Sequence, residues 1–180
     1  MFVLGIDPGL SRCGYGLVAR KGQGFTALAA GVITTDPHAS LPDRLGSLQR
    51  EISSLLEELN PDVVAVERVF FQTNVKTAMG VGQASGIALA SASIAGCEVA
   101  EYTSNEVKEA MVGYGAATKN QVQAMVAKLS GLAGPPSPPD VADALGLALC
   151  HLTREPLRRA VLAVQDHRAL ARSDRSGRSS

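Results

Sequence analysis

The chain has 180 residues, 46% of them hydrophobic, which suffices for one buried core and a tail but not for several domains. Its formal net charge is zero, which argues against the basic surface usual in nucleic-acid binders, and no apolar run reaches the roughly 20 residues of a membrane helix. The N-terminus has no basic segment leading into an apolar core and cleavage site, and Cys13, Cys97 and Cys150 form neither a disulfide frame nor a metal motif, so a reduced, cytoplasmic protein is expected.

The opening run Phe2-Val3-Leu4-Gly5-Ile6 leads into Asp7 and the turn Pro8-Gly9, a buried strand that ends in a carboxylate. Open α/β sheets bind ligands at the carboxyl ends of their strands, although a turn aspartate accepting its own backbone N–H groups reads equally well on this stretch alone. Gly9 is expected to keep the turn clear of a substrate. Residues Cys13 to Arg20 and Phe25 to Thr35 read as two further strands joined by Lys21-Gly22-Gln23-Gly24, giving an antiparallel meander. Ser40 to Leu59 then adopts helical spacing, with Leu45, Leu48, Ile52, Leu55, Leu56 and Leu59 on one face.

Asn60-Pro61 stops that helix, and the β-branched run Asp62 to Glu67 is a strand buried on both faces that again ends in an acid. Val75 to Ala95, rich in Gly, Ala and Ser, suits close helix packing. Glu98 to Tyr102 is a fifth strand. Ser104 to Val112 follows as a helix with Ser104 as its N-cap, and Thr118 to Leu132 as another. Four prolines between Ala133 and Pro139 make a stiff connector into a last helix, Pro139 to Leu152. From Arg154 onward seven Arg face three acids, so this end carries +4 and residues 1–153 carry −4. The organisation expected is a domain over residues 1–157 and a basic, disordered tail over residues 158–180.

Asp140 and Asp143, three residues apart, share a face of the last helix. Ser137 as N-cap and an acid in the first turn explain Asp140 as well as chemistry does, but capping explains Asp143 less well. If the strands ending in Asp7 and Glu67 are parallel neighbours, a helix across their edge adds Asp140 and Asp143. Four clustered carboxylates need protons or cations, and hard oxygen donors select Mg²⁺ or Mn²⁺. Two such ions about 4 Å apart form the clamp used in phosphodiester cleavage.

Taken in order, Ile6-Asp7-Pro8-Gly9 with Gly14-Tyr15-Gly16, Val66-Glu67-Arg68-Val69-Phe70-Phe71, Gly82-Gln83-Ala84 and Asp140-Val141-Ala142-Asp143-Ala144-Leu145 resemble the RuvC family of Holliday junction resolvases. The resemblance implies an RNase H-like α/β fold, a mixed five-stranded sheet with its first three strands antiparallel, and a homodimer, for which Val75 to Ala95 is the candidate dimer surface. It implies paired, symmetric, metal-dependent nicking of four-way DNA junctions in recombination and repair, leaving 5′-phosphate and 3′-hydroxyl ends, beside the RuvA–RuvB branch-migration machinery. By matching position, Asp7, Glu67, Asp140 and Asp143 become the catalytic acids that bind two Mg²⁺ ions, with Mn²⁺ as an alternative. Lys108 and Lys119 become phosphate-binding residues near the acids, and Phe70 the aromatic that stacks on unpaired bases. Where the family commonly has Arg after Gly-Gln-Ala, this chain has Ser85. The rival readings are an RNase H-like nuclease acting on RNA precursors and a junction-binding protein without catalysis.

Overall fold

Alternate residues of β1 (Phe2–Asp7) point to opposite faces of the sheet, with Val3 in one apolar cluster and Leu4 and Ile6 in the other. The computed structural model describes residues 1–68 and 75–156, of which residues 75–77 by backbone alone. Phe70 and the 158–180 tail lie outside the described residues.

The chain continues through β2 (Arg12–Lys21), β3 (Gly24–Thr34), α1 (Leu41–Leu59), β4 (Val63–Glu67), α2 (Val75–Ile94), β5 (Glu98–Tyr102), α3 (Ser104–Val112), α4 (Lys119–Leu129) and α5, residues 139–156. The five-stranded sheet has the order β3-β2-β1-β4-β5. Strands β1, β2 and β3 form the expected antiparallel meander, whereas β4 and β5 run parallel to β1, reached by helical crossovers. Helices α1 and α2 cover one face through Leu48, Ile52, Leu56, Ala84, Ala88 and Ala92. Helices α3, α4 and α5 cover the other. Nearly every α5 residue from Val141 to Leu152 is buried, because the helix is held between the sheet and α3 and α4, and burying Leu145 or Leu149 contributes about 1.5–3 kcal/mol each. Among the described residues, no helix is long and apolar enough to cross a membrane.

Three helix boundaries differ from the sequence reading. The N-cap of α3 is Thr103 and not Ser104, because Glu106 stands three residues after Thr103 and closes a capping box with it: Thr103 N–H donates to Glu106 (2.8 Å) and Glu106 N–H to Thr103 Oγ1 (3.1 Å). Helix α4 stops at Leu129, capped by Ser130, with Gly131 at φ 72° turning the chain out. Helix α5 starts at residue 139, so Pro138 and not Ser137 precedes it, and it continues past Leu152 through residue 156, the last residue described there.

The feature that positions the site is how closely α5 lies on the sheet. Gly5 and Gly14 occur on strands where a β-branched residue would ordinarily pack. A Cβ on Gly5 would strike the Ala144 carbonyl oxygen and come within 2.9 Å of the Ala148 nitrogen. One on Gly14 would strike the Asp140 carbonyl and come within 3.1 Å of the Asp140 Cβ. The missing side chains form a trough in which the α5 backbone rests directly on β1 and β2.

Candidate active site

Asp7 and Glu67 close β1 and β4. The parallel register aligns Gly5 with Ala65 and Ile6 with Val66, and the next step brings Asp7 beside Glu67 on the face that α5 covers. On its other side Asp7 is paired with Gly14, over which α5 lays the backbone of Asp140. One turn later the same helix presents Asp143. A cavity of about 370 Å³ is lined by Asp7, Glu67 and Asp143 together with Ser104, Lys108 and Lys119. Asp140 stands outside that lining, turned to Arg12. The structure therefore brings three of the four acids and both lysines singled out from sequence around one cavity, with the fourth acid, one helical turn before Asp143, outside the lining.

The acids divide into two pairs. The Asp7 and Glu67 carboxyls hydrogen bond to each other, and Asp7 is pushed up to about 7, first by burial and then by the charges of Glu67, Asp143 and Asp140. Glu67 is also raised, mainly by burial, although the hydrogen bond from Asp7 and the charges of Lys119 and Lys108 work against the rise. Two carboxyls in hydrogen-bond contact need one proton between them, or a cation in its place. Asp140 is held below the ordinary carboxylate range by the Arg12 guanidinium, whose Nη2 lies 2.9 Å and Nε 3.2 Å from Oδ2. Lys119 Nζ donates to Asp143 Oδ2 at 2.8 Å, and that bond raises the Lys119 pKa.

The donor set fits a hard divalent cation: it consists of carboxylate oxygens, and burial among like charges pushes Asp7 up to about 7. Among the described residues, no three acidic, His or Cys side chains are already closed around an ion-sized point; Asp140 is paired with Arg12 outside the cavity lining, and Asp143 with Lys119 within it. Arg12 is the functional candidate that sequence reading passed over. Its signal was its place five residues after Asp7, at the start of the strand paired with β1. Gly9 has an internal role: a Cβ there would strike the Arg12 carbonyl. Ser85 is buried in α2, and Phe70 falls outside the described residues.

A family model described as crossover junction endodeoxyribonuclease RuvC matches residues 3–151. The chain belongs to the RuvC family. It is 50% identical to the crossover junction endodeoxyribonuclease RuvC of Salinispora arenicola over 167 residues, 92% of this chain and 95% of that protein. The solved RuvC structure from Thermus thermophilus superposes with a TM-score of 0.81 at 37% identity, covering 87% of this chain and 96% of that one. A second Thermus thermophilus RuvC structure, in complex with Holliday junction substrate, gives a TM-score of 0.80 at 34% identity with the same coverage. The mixed five-stranded sheet with flanking helices is thus the RuvC fold, as the motifs implied, and the chain is a member of a family of DNA-cleaving hydrolases.

Proposed function

We propose that the protein resolves four-way DNA junctions by paired, symmetric nicks, using Asp7, Glu67, Asp140 and Asp143 as cation-binding acids. The observation that carries this reading is the Asp7–Glu67 pair sharing a cavity with Asp143, Lys108 and Lys119: three carboxylates at the sheet edge, with two cations lining the same cavity. Two Mg²⁺ or Mn²⁺ ions bound there would supply an activated water and charge compensation at the departing 3′ oxygen. Asp7, on the central strand between the other acids, would be a donor to these ions, which would take the place of the proton that relieves its repulsion with Glu67. Glu67 fixes the strand side of that set and Asp140 and Asp143 the helix side. Lys108 and Lys119 hold the scissile phosphate and offset the charge that builds on its oxygens. The products carry 5′ phosphates and 3′ hydroxyls, which a ligase can seal.

A junction must be cut on two strands related by symmetry, so a two-fold homodimer supplies matched sites, with α2 as the contact surface. Phe70 stacks on an unpaired base beside the cut, and the RuvA–RuvB machinery delivers the junction in the cytoplasm. The −4 body meets DNA through the local cations of the cleft and not through a general basic surface. Incubating wild type and Glu67→Gln with a synthetic four-way junction, duplex DNA and RNA, with and without Mg²⁺, tests the reading. Symmetric, metal-dependent nicks in the junction that disappear in the variant are the expected result. Cleavage confined to RNA, or junction cleavage that persists in the variant, overturns it.

A further inference from the structure

We propose that Arg12 is a positioning residue that holds Asp140 in the metal-free protein and passes to a DNA backbone phosphate when the junction binds, freeing Asp140 for cation loading. The inference rests on the proposed function and assigns a route by which DNA binding and metal binding favour each other.

The first support is the grip itself. Arg12 spans both oxygens of Asp140, with Nη2 at 2.9 Å and Nε at 3.2 Å from Oδ2 and Nε at 3.4 Å from Oδ1. A guanidinium fork makes the same two-point contact with a phosphate as with a carboxylate, so exchanging one for the other leaves Arg12 equally well satisfied. A carboxylate engaged through both oxygens is poorly placed to ligate a cation. While the pair stands, Asp140 is turned out of the cavity that Asp7, Glu67 and Asp143 line.

The second support is the contrast between a fixed base and a free head. Thr35 Oγ1 donates to the Leu10 carbonyl (2.6 Å), Arg44 Nη2 donates to Ser11 Oγ (2.7 Å), and Arg12 itself is paired with Thr34 in the sheet. The Arg12 side chain is nonetheless 49% exposed, against 23% for Asp140. Its guanidinium can change partner by side-chain rotation alone, without moving the turn that follows Asp7. Lys119, by contrast, lines the cavity, so the two cations address different phosphates: Lys119 the one being cut and Arg12 one at the rim.

Two readouts test this on the full-length protein. In DNA-free protein, R12Q should bind Mn²⁺ about two- to fivefold more tightly than wild type by calorimetry, the worth of a half-exposed ion pair no longer competing for Asp140. In EDTA, the slope of log junction affinity against log salt should fall by about one for R12Q, the signature of one lost phosphate contact, and R12K should keep the wild-type slope. A residue that merely braced the turn would move neither. Unchanged or weaker Mn²⁺ binding in R12Q, an unchanged salt slope in R12Q, or a reduced slope in R12K overturns the assignment. If wild type itself binds neither Mn²⁺ nor the junction, the proposed function fails and this inference with it. If wild type binds both and R12Q matches it, only the role of Arg12 fails.

Discussion

The two acids carried by strands and the two carried by α5 meet at one sheet edge in opposite electrostatic surroundings. Asp7 and Glu67 hydrogen bond to each other, both are raised above the ordinary carboxylate range by burial, and among the described residues neither has a basic side chain as an ion-pair partner. Asp140 and Asp143 each have their own basic partner and are more open to water, with side chains 23% and 37% exposed. The difference lies in location: strand termini under a helix are desolvated, whereas the first two turns of α5 look outward. The strand pair therefore holds repulsion that a cation would relieve, and the helix pair holds ligands that can be released.

Isosteric amides break this comparison most sharply. Asp7→Asn should lower junction cleavage by on the order of 10³-fold while raising the stability of metal-free protein at pH 8 by about 1–3 kcal/mol, because it removes a buried carboxylate that ionises against its neighbours. Asp143→Asn should cost comparable activity with a smaller stabilisation, since the charge it removes is only one of several acting on Asp7 and its loss also deprives Lys119 of its partner. Single-turnover cleavage and urea denaturation measure both. Loss of stability in metal-free Asp7→Asn would sink the idea of stored repulsion.

Next in size is the trough that sets the distance between the pairs. Gly5→Ala should destabilise the fold by about 2–4 kcal/mol, because the added methyl meets the Ala144 carbonyl inside a packed core. Gly24→Ala is the control: the nearest atom to its Cβ is the Lys21 carbonyl at 3.9 Å, so the change should stay within about 0.5 kcal/mol. Equal midpoints for the two variants in denaturant would mean that α5 is not seated on the glycines.

The pH dependence of metal-free protein is smaller. Because the folded Asp7 pKa, about 7, lies above its ordinary value of 3.8, its contribution to stability is fully present below 3.8 and is lost as pH rises through 7. Thermal melts should fall by several degrees between pH 5 and pH 8, on the order of 1–3 kcal/mol, and Mg²⁺ should restore more stability at pH 8 than at pH 5. A melt that rises over the same interval contradicts the shared proton.

Much of this site was legible in the sequence because its logic is local. Asp7 and Glu67 each end a β-patterned run, and period alone puts both at strand ends. The parallel pairing of β1 with β4 entered the sequence reading only as a condition, because β2, β3 and α1 lie between them in the chain. What could not be read was set by long-range contact: Arg12 meets Asp140 across 128 positions, and neither residue's neighbours announce the other. The glycines at 5 and 14 were visible as motif residues, but their purpose depends on where α5 lands. The Ser104 cap was misread within a single turn, because Thr103 and Ser104 are both competent caps and only the spacing to Glu106 decides between them.

The smallest expected effect separates structure from chemistry most cleanly. Lys119 opens α4 one residue after its cap, and the Thr118–Gln121 capping box does not involve its side chain. Its bond to Asp143 is short, but the Lys119 side chain is 59% exposed, so solvent screening leaves the pair worth well under about 1 kcal/mol. Lys119→Gln should therefore shift the denaturation midpoint by no more than about 0.5 kcal/mol. Cleavage of a bound junction should nevertheless slow by about 10- to 100-fold, since the same ammonium faces the cavity that Asp7 and Glu67 line and is lost where phosphate charge develops. A loss of stability above 1 kcal/mol with cleavage unchanged would make Lys119 a brace for Asp143, and the asymmetry between the strand pair and the helix pair would then be purely structural.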